Sequence, residues 1–258
     1  MKYSHLVDSA VVKKVSEKNN IGIFHIEGLY TGYGMTLGNA IRRALLSSLP
    51  GAAITQVKIK NASHEFTTIP GMKEDVLELC LNLKKVRFHF FADEPQTLTL
   101  NIKGDHEVKA GDIKSTTLVQ VINTDLHLAT LTAKNAELSL EFTVEKGLGY
   151  VQTETRKHER ISVGTIMLDA IFTPIVKVSF DVENMRVGDR TDFNKLILEI
   201  ITDGSISPSE ALHKAGNILK DHFDKVSGIE FESTQKEEEK EEVKEEEPQE
   251  KTTKKKKK

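Results

Sequence analysis

The sequence predicts an α+β fold, with antiparallel sheets and two amphipathic helices that lie near opposite ends of the chain. Three observations lead to this prediction. Apolar and polar residues alternate along most of the extended segments, as they do in strands with one buried face. Helical periodicity is confined to a few segments, and strands and helices do not alternate as they do in a βαβ fold. Residues 52–174 contain a helix and strands of their own, so we expect a second α+β subdomain inserted into the first.

Two strands and a helix are expected in the first 51 residues. The segments AVVKKV and IGIFHI have strand character and are joined by the turn-like SEKNN. In the segment TLGNAIRRALLSSLPG, apolar residues recur at intervals of three and four, and Thr36 occupies the N-cap position. Pro50 and Gly51 end this first helix.

The middle of the chain is expected to contain strands around one short helix. AAITQVKIKN and HEFTTI are predicted as strands. GMKEDVLELCLNLKK is predicted as a helix that should be covered on most sides, because its apolar residues almost encircle it. It carries the single cysteine, Cys80, which we interpret as a buried and inert thiol. Two strands of period two, TLTLNI and ELSLEFTV, follow.

Beyond Pro174 the sequence predicts two further strands and the closing helix. The strands are IVKVSFDVENMRV and KLILEII, and the first places Val176, Val178, Phe180 and Val182 on one face. The S-P-S-E sequence at 207–210 is a capping box with Pro in the first helical position. The apolar stripe of the closing helix consists of Leu212, Ala215, Ile218, Leu219, Phe223 and Val226.

Composition is that of an ordinary globular protein. The chain has 258 residues and a net charge of −3, which gives no overall bias toward nucleic acid. One cysteine excludes an intramolecular disulfide and a zinc finger, and suits the cytoplasm. No apolar run approaches the roughly 18 residues of a membrane span, and the start lacks the features of a signal peptide. Residues 233–258, rich in Glu and Lys, are predicted to be a disordered tail.

The G-x-G-x-x-x-G pattern of Gly32, Gly34 and Gly38 raises the question of a phosphate-binding loop. A P-loop needs a Lys directly after its second Gly, and no Lys is present here. A dinucleotide site needs an acidic residue about 20 positions further on, yet no Asp or Glu occurs between Gly28 and His64. We therefore interpret the glycines as permitting positive φ or close backbone approach at the entry to the helix.

Other catalytic or metal-binding patterns are also missing. The nine histidines form no H-E-x-x-H or H-x-H sequence. Asp189 and Asp192 are separated by Arg190, so an internal salt bridge or turn cap is favoured over a two-metal carboxylate site. Asp169 stands among apolar neighbours and is interpreted as a lone buried acid with a structural partner. The sequence predicts no catalytic residue, cofactor site or metal site.

The two amphipathic helices are the main positive signal. Each apolar stripe is explained equally well by packing on the protein's own sheet or by an oligomer interface. The first helix carries an additional apolar residue, Leu46, outside its main stripe. Spacing alone does not decide between the two interpretations.

Six segments form an ordered set along the chain. They are TLGNAIRRALLSSLPG, EDVLELCLNLK, EKGLGYV, ISVGTIMLDAIFTPIVKV, VENMRVGDRTDFNKLILEI and DGSISPSEALHKAGNILKDHF. In sequence and in order they resemble the alpha subunits of bacterial DNA-directed RNA polymerase, in their N-terminal domain. The resemblance covers nearly all of residues 3–229.

The resemblance implies a discontinuous dimerisation subdomain made of residues 1–51 and 175–232. Residues 52–174 are then the inserted subdomain, and 233–258 the tail. Two copies are implied to pair through the first and the closing helix. The interface residues carried over from the family are Leu37, Ile41, Leu45, Leu212, Ala215, Leu219 and Phe223.

The resemblance also implies contacts with the two large subunits. Arg43 and Leu46 match family positions tied to beta binding, and Lys84 and Leu168 match positions linked to beta-prime. Lys195 matches a lysine related to assembly. An arginine suits such a role because its planar fork binds carboxylates in a bidentate manner.

The implied function is an assembly platform in DNA-templated transcription. The chain would homodimerise and hold beta and beta-prime, with omega and sigma in the holoenzyme. Magnesium is expected in the catalytic subunit of the complex, DNA is expected to be reached through the complex, and no membrane contact is expected. Family members usually continue into a small helical C-terminal domain. Because this sequence ends in TTKKKKK, contacts made through that domain are not carried over.

Two alternative functions come from other classes. A stand-alone nucleotide-binding enzyme would use the glycine loop, and binding of ATP or NAD by the isolated chain would favour it. A dimeric adaptor without polymerase association would fail to co-purify with very large subunits.

Overall fold

The computed structural model describes residues 9–156 and 164–229, so the predicted tail lies outside the described residues. The strands are β1 (Val11–Lys18), β2 (Ile21–Leu29), β3 (Pro50–Ile59), β4 (Phe88–Phe90), β5 (Gln96–Lys103), β6 (His106–Lys109), β7 (Val119–Val121), β8 (His127–Leu131), β9 (Glu137–Leu148), β10 (Tyr150–Val151), β11 (Thr165–Met167), β12 (Ala170–Ile171), β13 (Ile175–Val187) and β14 (Arg190–Thr202). The helices are α1 (Tyr33–Ser48), α2 (Val76–Leu83) and α3 (Pro208–Ser227). The predicted α+β fold with antiparallel sheets is confirmed.

A four-stranded antiparallel sheet in the order β1-β2-β14-β13 carries α1 and α3 on one face. Alternate residues of its strands point into the core beneath the two helices. This first core contains Phe24, Ile26, Ile41, Leu45, Leu196, Leu198, Ile200, Ala211 and Ala215. Both predicted amphipathic helices therefore use a large part of their apolar stripe within the protomer.

A second core lies in the inserted part of the chain, around the sheet β11-β3-β9-β5. The predicted alternation of β5 and β9 is confirmed, since their apolar residues are buried on one face. Those residues are Leu98, Leu100, Leu138, Leu140, Phe142 and Val144. α2 adds Val76, Leu79, Cys80 and Leu83 to the same cluster. The prediction that Cys80 is buried is confirmed, and burial raises the pKa of its thiol to about 11, which disfavours the reactive thiolate.

Three local predictions are wrong. α1 begins at Tyr33 with Gly32 as its N-cap, so Thr36 lies inside the helix instead of capping it. The segment HEFTTI forms turns and irregular backbone. α2 is not covered on most sides, because it is only 8 residues long and packs along one side, which leaves Leu77 and Leu81 exposed.

The two cores meet at a polar junction near the end of β14. Arg87, just before β4, places its Nε 3.7 Å from Oδ2 of Asp203, which follows β14. Asp203 also accepts hydrogen bonds from the amide and hydroxyl of Ser205, in the turn that precedes α3. By their internal contacts, the described residues fall into two units with the boundary after Lys220, inside α3. Within the described ranges, the helices are too short or too polar to cross a membrane.

Candidate functional site

The glycine loop at the start of α1 is filled by a side chain of the protein itself. Gly32 has φ of 87° and caps the helix, and its amide donates to Oδ1 of Asn194 at 2.8 Å. The amide of Gly34 donates to the same oxygen at 3.4 Å. A phosphate loop presents such amides to its ligand. Here Asn194 already occupies them.

Gly34 and Gly38 serve close packing between α1 and the sheet. A Cβ at Gly34 would lie 2.6 Å from Val182, and one at Gly38 would lie 2.6 Å from the ring of Phe180. Side chains are never this close without movement of a neighbour. Both interpretations of the glycines are confirmed. Gly32 has positive φ, and Gly34 and Gly38 allow close approach of the α1 backbone to the sheet.

Arg190 and Asp192 form the internal salt bridge that the sequence predicts. Nε and Nη2 of Arg190 donate to the two carboxylate oxygens of Asp192 at 3.0 and 2.7 Å. These hydrogen bonds, followed by one from the Thr31 hydroxyl, hold the pKa of Asp192 well below its usual range. The Arg190 guanidinium also lies over the rings of Tyr30 and Phe193, at 4.8 and 5.2 Å from their centroids. This cluster fixes the β13–β14 hairpin beside α1.

Arg43 and Leu46 lie together on the outer face of α1. They are three residues apart, so they are neighbours on the helix surface, and both side chains are exposed. Within the described ranges, Arg43 forms no ion pair, and α1 contains no acidic residue. The structure therefore presents a cation and an apolar side chain side by side.

The residues predicted for the dimer interface occupy three environments. Leu45, Ala215 and Ile41 are buried in the protomer's own core, and their contact with a second copy stays a prediction. Leu37, Leu212 and Leu219 are half-buried at the edge of that core. Phe223 is 62% exposed, and Val226, one turn further along α3, is 63% exposed.

Lys84 and Leu168 are brought close together by Asp169. Nζ of Lys84 lies 3.6 Å from Oδ2 of Asp169, the residue after Leu168. Asp169 also accepts hydrogen bonds from the amide of Thr153 at 2.9 Å and from its hydroxyl at 2.8 Å. These bonds lower the pKa of Asp169, and Lys84 and the Tyr150 hydroxyl lower it further. Asp169 has the predicted structural partner, but its carboxylate is partly exposed and was wrongly expected to be buried.

Lys195 lies on the sheet face opposite the helices. Its neighbours Asn194 and Leu196 point toward α1, and side chains alternate along a strand. Nζ of Lys195 lies 3.4 Å from Oε2 of Glu183 on the adjacent strand β13. The five residues predicted from the family resemblance to bind partner subunits thus occur as two pairs, Arg43 with Leu46 and Lys84 with Leu168, and one separate lysine.

Sequence reasoning missed two residues that position the helices. Asn194 caps α1 from a position 162 residues beyond Gly32. Glu17 accepts hydrogen bonds from the amide and hydroxyl of Ser209 at the start of α3, 192 residues away. No local pattern marks a contact over such separations. The predicted capping box is formed in part, since the Ser207 hydroxyl accepts from the amide of Glu210.

Comparison with known proteins identifies close relatives. Residues 57–173 match the family described as the RNA polymerase Rpb3/RpoA insert domain. The chain is 46% identical over 213 residues to the DNA-directed RNA polymerase subunit alpha of Alkaliphilus oremlandii (strain OhILAs), covering 83% of this chain and 67% of that protein. The protein of the same description from Symbiobacterium thermophilum is 48% identical over 210 residues, with coverages of 81% and 66%. That from Roseiflexus sp. (strain RS-1) is 43% identical over 226 residues, with coverages of 88% and 69%. The matched region spans about two thirds of the length of these relatives.

Proposed function

The chain belongs to the family of DNA-directed RNA polymerase alpha subunits, and from this premise we propose that it homodimerises and forms the assembly platform for the beta and beta-prime subunits. The observation that carries the proposal is that both sheet-covering helices still expose apolar side chains on their outer faces. Leu46 is exposed on α1, and Phe223 and Val226 are exposed on α3. A helix that only covered its own sheet would have a polar outer face.

Pairing of two copies is supported by the last part of α3. All described residues of α3 from Asp221 onward are exposed. Two of them, Phe223 and Val226, are apolar, and they lie three positions apart on the same side of the helix. Burial of such side chains against a second copy would remove apolar surface from water. Leu212 and Leu219, earlier in the helix, are half-buried at the edge of the first core. A symmetric dimer would use Phe223 and Val226 from both copies.

Substitution of Val226 tests the pairing. Val226→Ser should shift the isolated chain from dimer toward monomer at micromolar concentration, because it replaces an apolar side chain that the proposed interface would bury. Val176→Ser is the matched control, since Val176 is also 63% exposed but lies on β13. Light scattering measures the mass of each variant. A monomeric wild-type chain, or equal masses of dimer for all three proteins, would contradict the pairing.

Beta binding is proposed for the outer face of α1. The Arg43 guanidinium has no carboxylate partner within the described residues, and Leu46 provides apolar surface beside it. Residues of this kind are typical anchors of protein interfaces. Lys195 is proposed to support assembly from the opposite face of the sheet.

Co-expression with the beta and beta-prime subunits tests the role of Arg43. Arg43→Ala should remain dimeric but capture about tenfold less beta, because a bidentate anchor is lost. Arg43→Lys should capture an intermediate amount, since it keeps the charge without the planar fork. Lys58→Ala, which removes an exposed cation on β3, is the control and should capture beta normally. Normal capture by Arg43→Ala would refute the assignment.

We propose that the chain contributes structure rather than chemistry to the polymerase. The discontinuous subdomain of residues 1–51 and 175–232 would dimerise, and residues 52–174 would reach a large subunit. Nucleotidyl transfer and its magnesium would belong to the catalytic subunit, with omega and sigma joining in the holoenzyme and DNA reached through the complex. The cytoplasm is the proposed location. A nucleotide-binding assay of the isolated chain tests the proposal that the chemistry belongs to another subunit. Binding of ATP at the glycine loop would contradict it.

A further inference from the structure

The two apolar cores form separate clusters among the described residues, and the chain passes between their elements twice. It runs from α1 into β3 and returns from β12 into β13. The two crossings touch, because a Cβ on Gly51 would overlap the carbonyl oxygen of Phe172. Parts of a chain that share no large apolar interface move relative to each other by default. By themselves, the adjacent crossings form a pivot between the two cores.

A second contact joins the two sets of elements through an ion pair. Arg87 directly precedes β4 among the elements of the second core, whereas Asp203 directly follows β14 of the first. Nε of Arg87 lies 3.7 Å from Oδ2 of Asp203, and the two side chains are 24% and 9% exposed. Salt screens such a partly buried pair much less than it screens a surface pair.

Arg87 is held in place on its own side of this contact. Its amide donates to Oδ1 of Asn123 at 2.8 Å, and its carbonyl accepts from the amide of Ile122 at 2.9 Å. Nδ2 of Asn123 also donates to the carbonyl of Lys85 at 3.0 Å. The residues that follow β7 therefore fix the segment before β4.

Asp203 is held on the other side by the turn that leads to α3. Its Oδ1 accepts from the amide of Ser205 at 2.9 Å and from the hydroxyl of Ser205 at 2.5 Å. Its amide donates to the carbonyl of Pro174 at 3.0 Å. Oδ1 is thus used within the turn, and Oδ2 is the oxygen that faces Arg87.

Gly204 shows that the two sides are closely packed at this contact. Its φ is 95°, and a Cβ there would lie 3.1 Å from Nδ2 of Asn20 and 3.2 Å from Cγ2 of Ile122. Asn20 belongs to the β1–β2 turn, and its carbonyl accepts from the amide of Thr202 at 2.9 Å. The turn after β14 therefore lies between a residue from the elements of each core.

We propose that the Arg87–Asp203 ion pair is an orientation lock, which fixes the elements of the second core relative to the β1-β2-β14-β13 sheet. The pivot alone would allow rotation, and the ion pair prevents it because each partner is bound to its own elements. Loss of the ion pair should free this rotation without unfolding either core, since each core is closed by its own side chains.

The distance between two spin labels on the full chain tests the orientation lock. The labels are attached through Asp189→Cys, in the β13–β14 turn, and Lys134→Cys, between β8 and β9, because both positions are exposed. Position 189 lies about 40 Å along the strand from Asp203, so a small rotation changes the distance measurably. Cys80 is buried and should not take up a label. An excess of unlabelled chain ensures that each measured pair of labels belongs to one copy.

Double electron–electron resonance gives the distribution of label distances for each variant. Asp203→Asn and Arg87→Gln should each broaden this distribution about twofold relative to wild type. Asp203→Asn keeps Oδ1 as an acceptor for Ser205, so the turn is retained. Arg87→Lys keeps a cation and should give a narrow distribution. Lys103→Gln is the control, because it removes the exposed ion pair of Lys103 with Glu137 and should keep the wild-type width.

Three results would overturn the orientation lock. The first is a wild-type distribution as broad as those of the variants, and the second is an unchanged width for both Asp203→Asn and Arg87→Gln. The third is equal broadening by Lys103→Gln. Unfolding midpoints within a few degrees of wild type show that the variants are folded. Because the measurement needs no large subunit, failure of the orientation lock would leave the proposed function standing.

Discussion

Asn194 sets the start of α1 although it belongs to β14. Its Oδ1 accepts the amides of Gly32 and Gly34, and its Nδ2 donates to Oδ1 of Asn184 on β13. The first amides of a helix have no partner within the helix, so a side chain that accepts them stabilises that end. Because Asn194 is itself buried, its position determines where α1 begins and how closely the helix approaches the sheet.

Gly38→Ala should destabilise the protein by about 1–3 kcal/mol, because the added Cβ would press against the ring of Phe180 and against Leu196 in a packed core. Gly216→Ala is the control, since the space around Gly216 in α3 is open and alanine favours a helix by about 0.5–1 kcal/mol. The free energy of unfolding in urea measures both changes. Equal stabilities for Gly38→Ala and wild type would show that α1 can move away from the sheet.

At the level of elements, α3 is attached to the edge strand β1 by a carboxylate. Glu17 accepts the Ser209 amide at 3.0 Å and the Ser209 hydroxyl at 2.6 Å, and it also binds Lys14 at 2.9 Å. A negative charge at a helix N-terminus is favourable, because the free amides and the helix dipole are positive there. β1 therefore orients the helix whose far end is proposed to pair with a second copy.

Stability should depend on pH through Glu17. The hydrogen bonds from Ser209 and then that from Lys14 lower the pKa of Glu17 from 4.5 to about 2. A carboxyl whose pKa is lowered on folding adds stability above its unfolded pKa, and this stability is lost as pH falls. Glu17→Gln should therefore be less stable than wild type at pH 7, by about 1 kcal/mol.

The difference between Glu17→Gln and wild type should shrink as pH falls from 4.5 to about 2. Urea unfolding at pH 7 and pH 3 measures it. Glu210→Gln is the control, because Glu210 lies in the same first turn and pairs with the exposed Lys214. If the difference in free energy of unfolding between Glu17→Gln and wild type does not change with pH, Glu17 does not contribute to the loss of stability in acid.

The elements themselves were predictable where one face is buried. Alternation identified β5, β9 and β13, because each has a continuous apolar side. It failed at Val176, which is 63% exposed although the pattern places it with Val178. A shift in the pairing register between Ile175 and Lys177 moves Ile175 into the core instead. Such a bulge depends on the partner strand, which the local sequence does not encode.

The candidate site was predictable only in part for the same reason. Arg43 and Leu46 were assigned from the family resemblance and are exposed, as a surface role requires. Their assignment to beta remains a prediction. Tyr150 and Ile171 come together through strand pairing, while Lys84 and Asp169 meet across 85 residues of chain. These contacts depend on tertiary structure, so local periodicity gives no sign of them.

At the scale of the whole molecule, the chain has two apolar cores but exposes further apolar residues on its helices. The first core is formed by strands and helices from both ends of the sequence, and the second by the inserted part. Each core is closed by its own elements, so neither needs a second copy in order to bury its central residues. A dimer would add stability to a protomer that is already folded.

Unfolding should consequently depend on protein concentration. Dimerisation stabilises the native state by mass action, so a hundredfold increase in concentration should raise the unfolding midpoint by about 3–5 °C. Val226→Ser should show a smaller increase, because it weakens the proposed pairing, whereas Val176→Ser should behave like wild type. Calorimetry over a concentration series measures the midpoints. A wild-type midpoint that does not change with concentration would mean that the native state in solution is a monomer, which would contradict the proposed pairing.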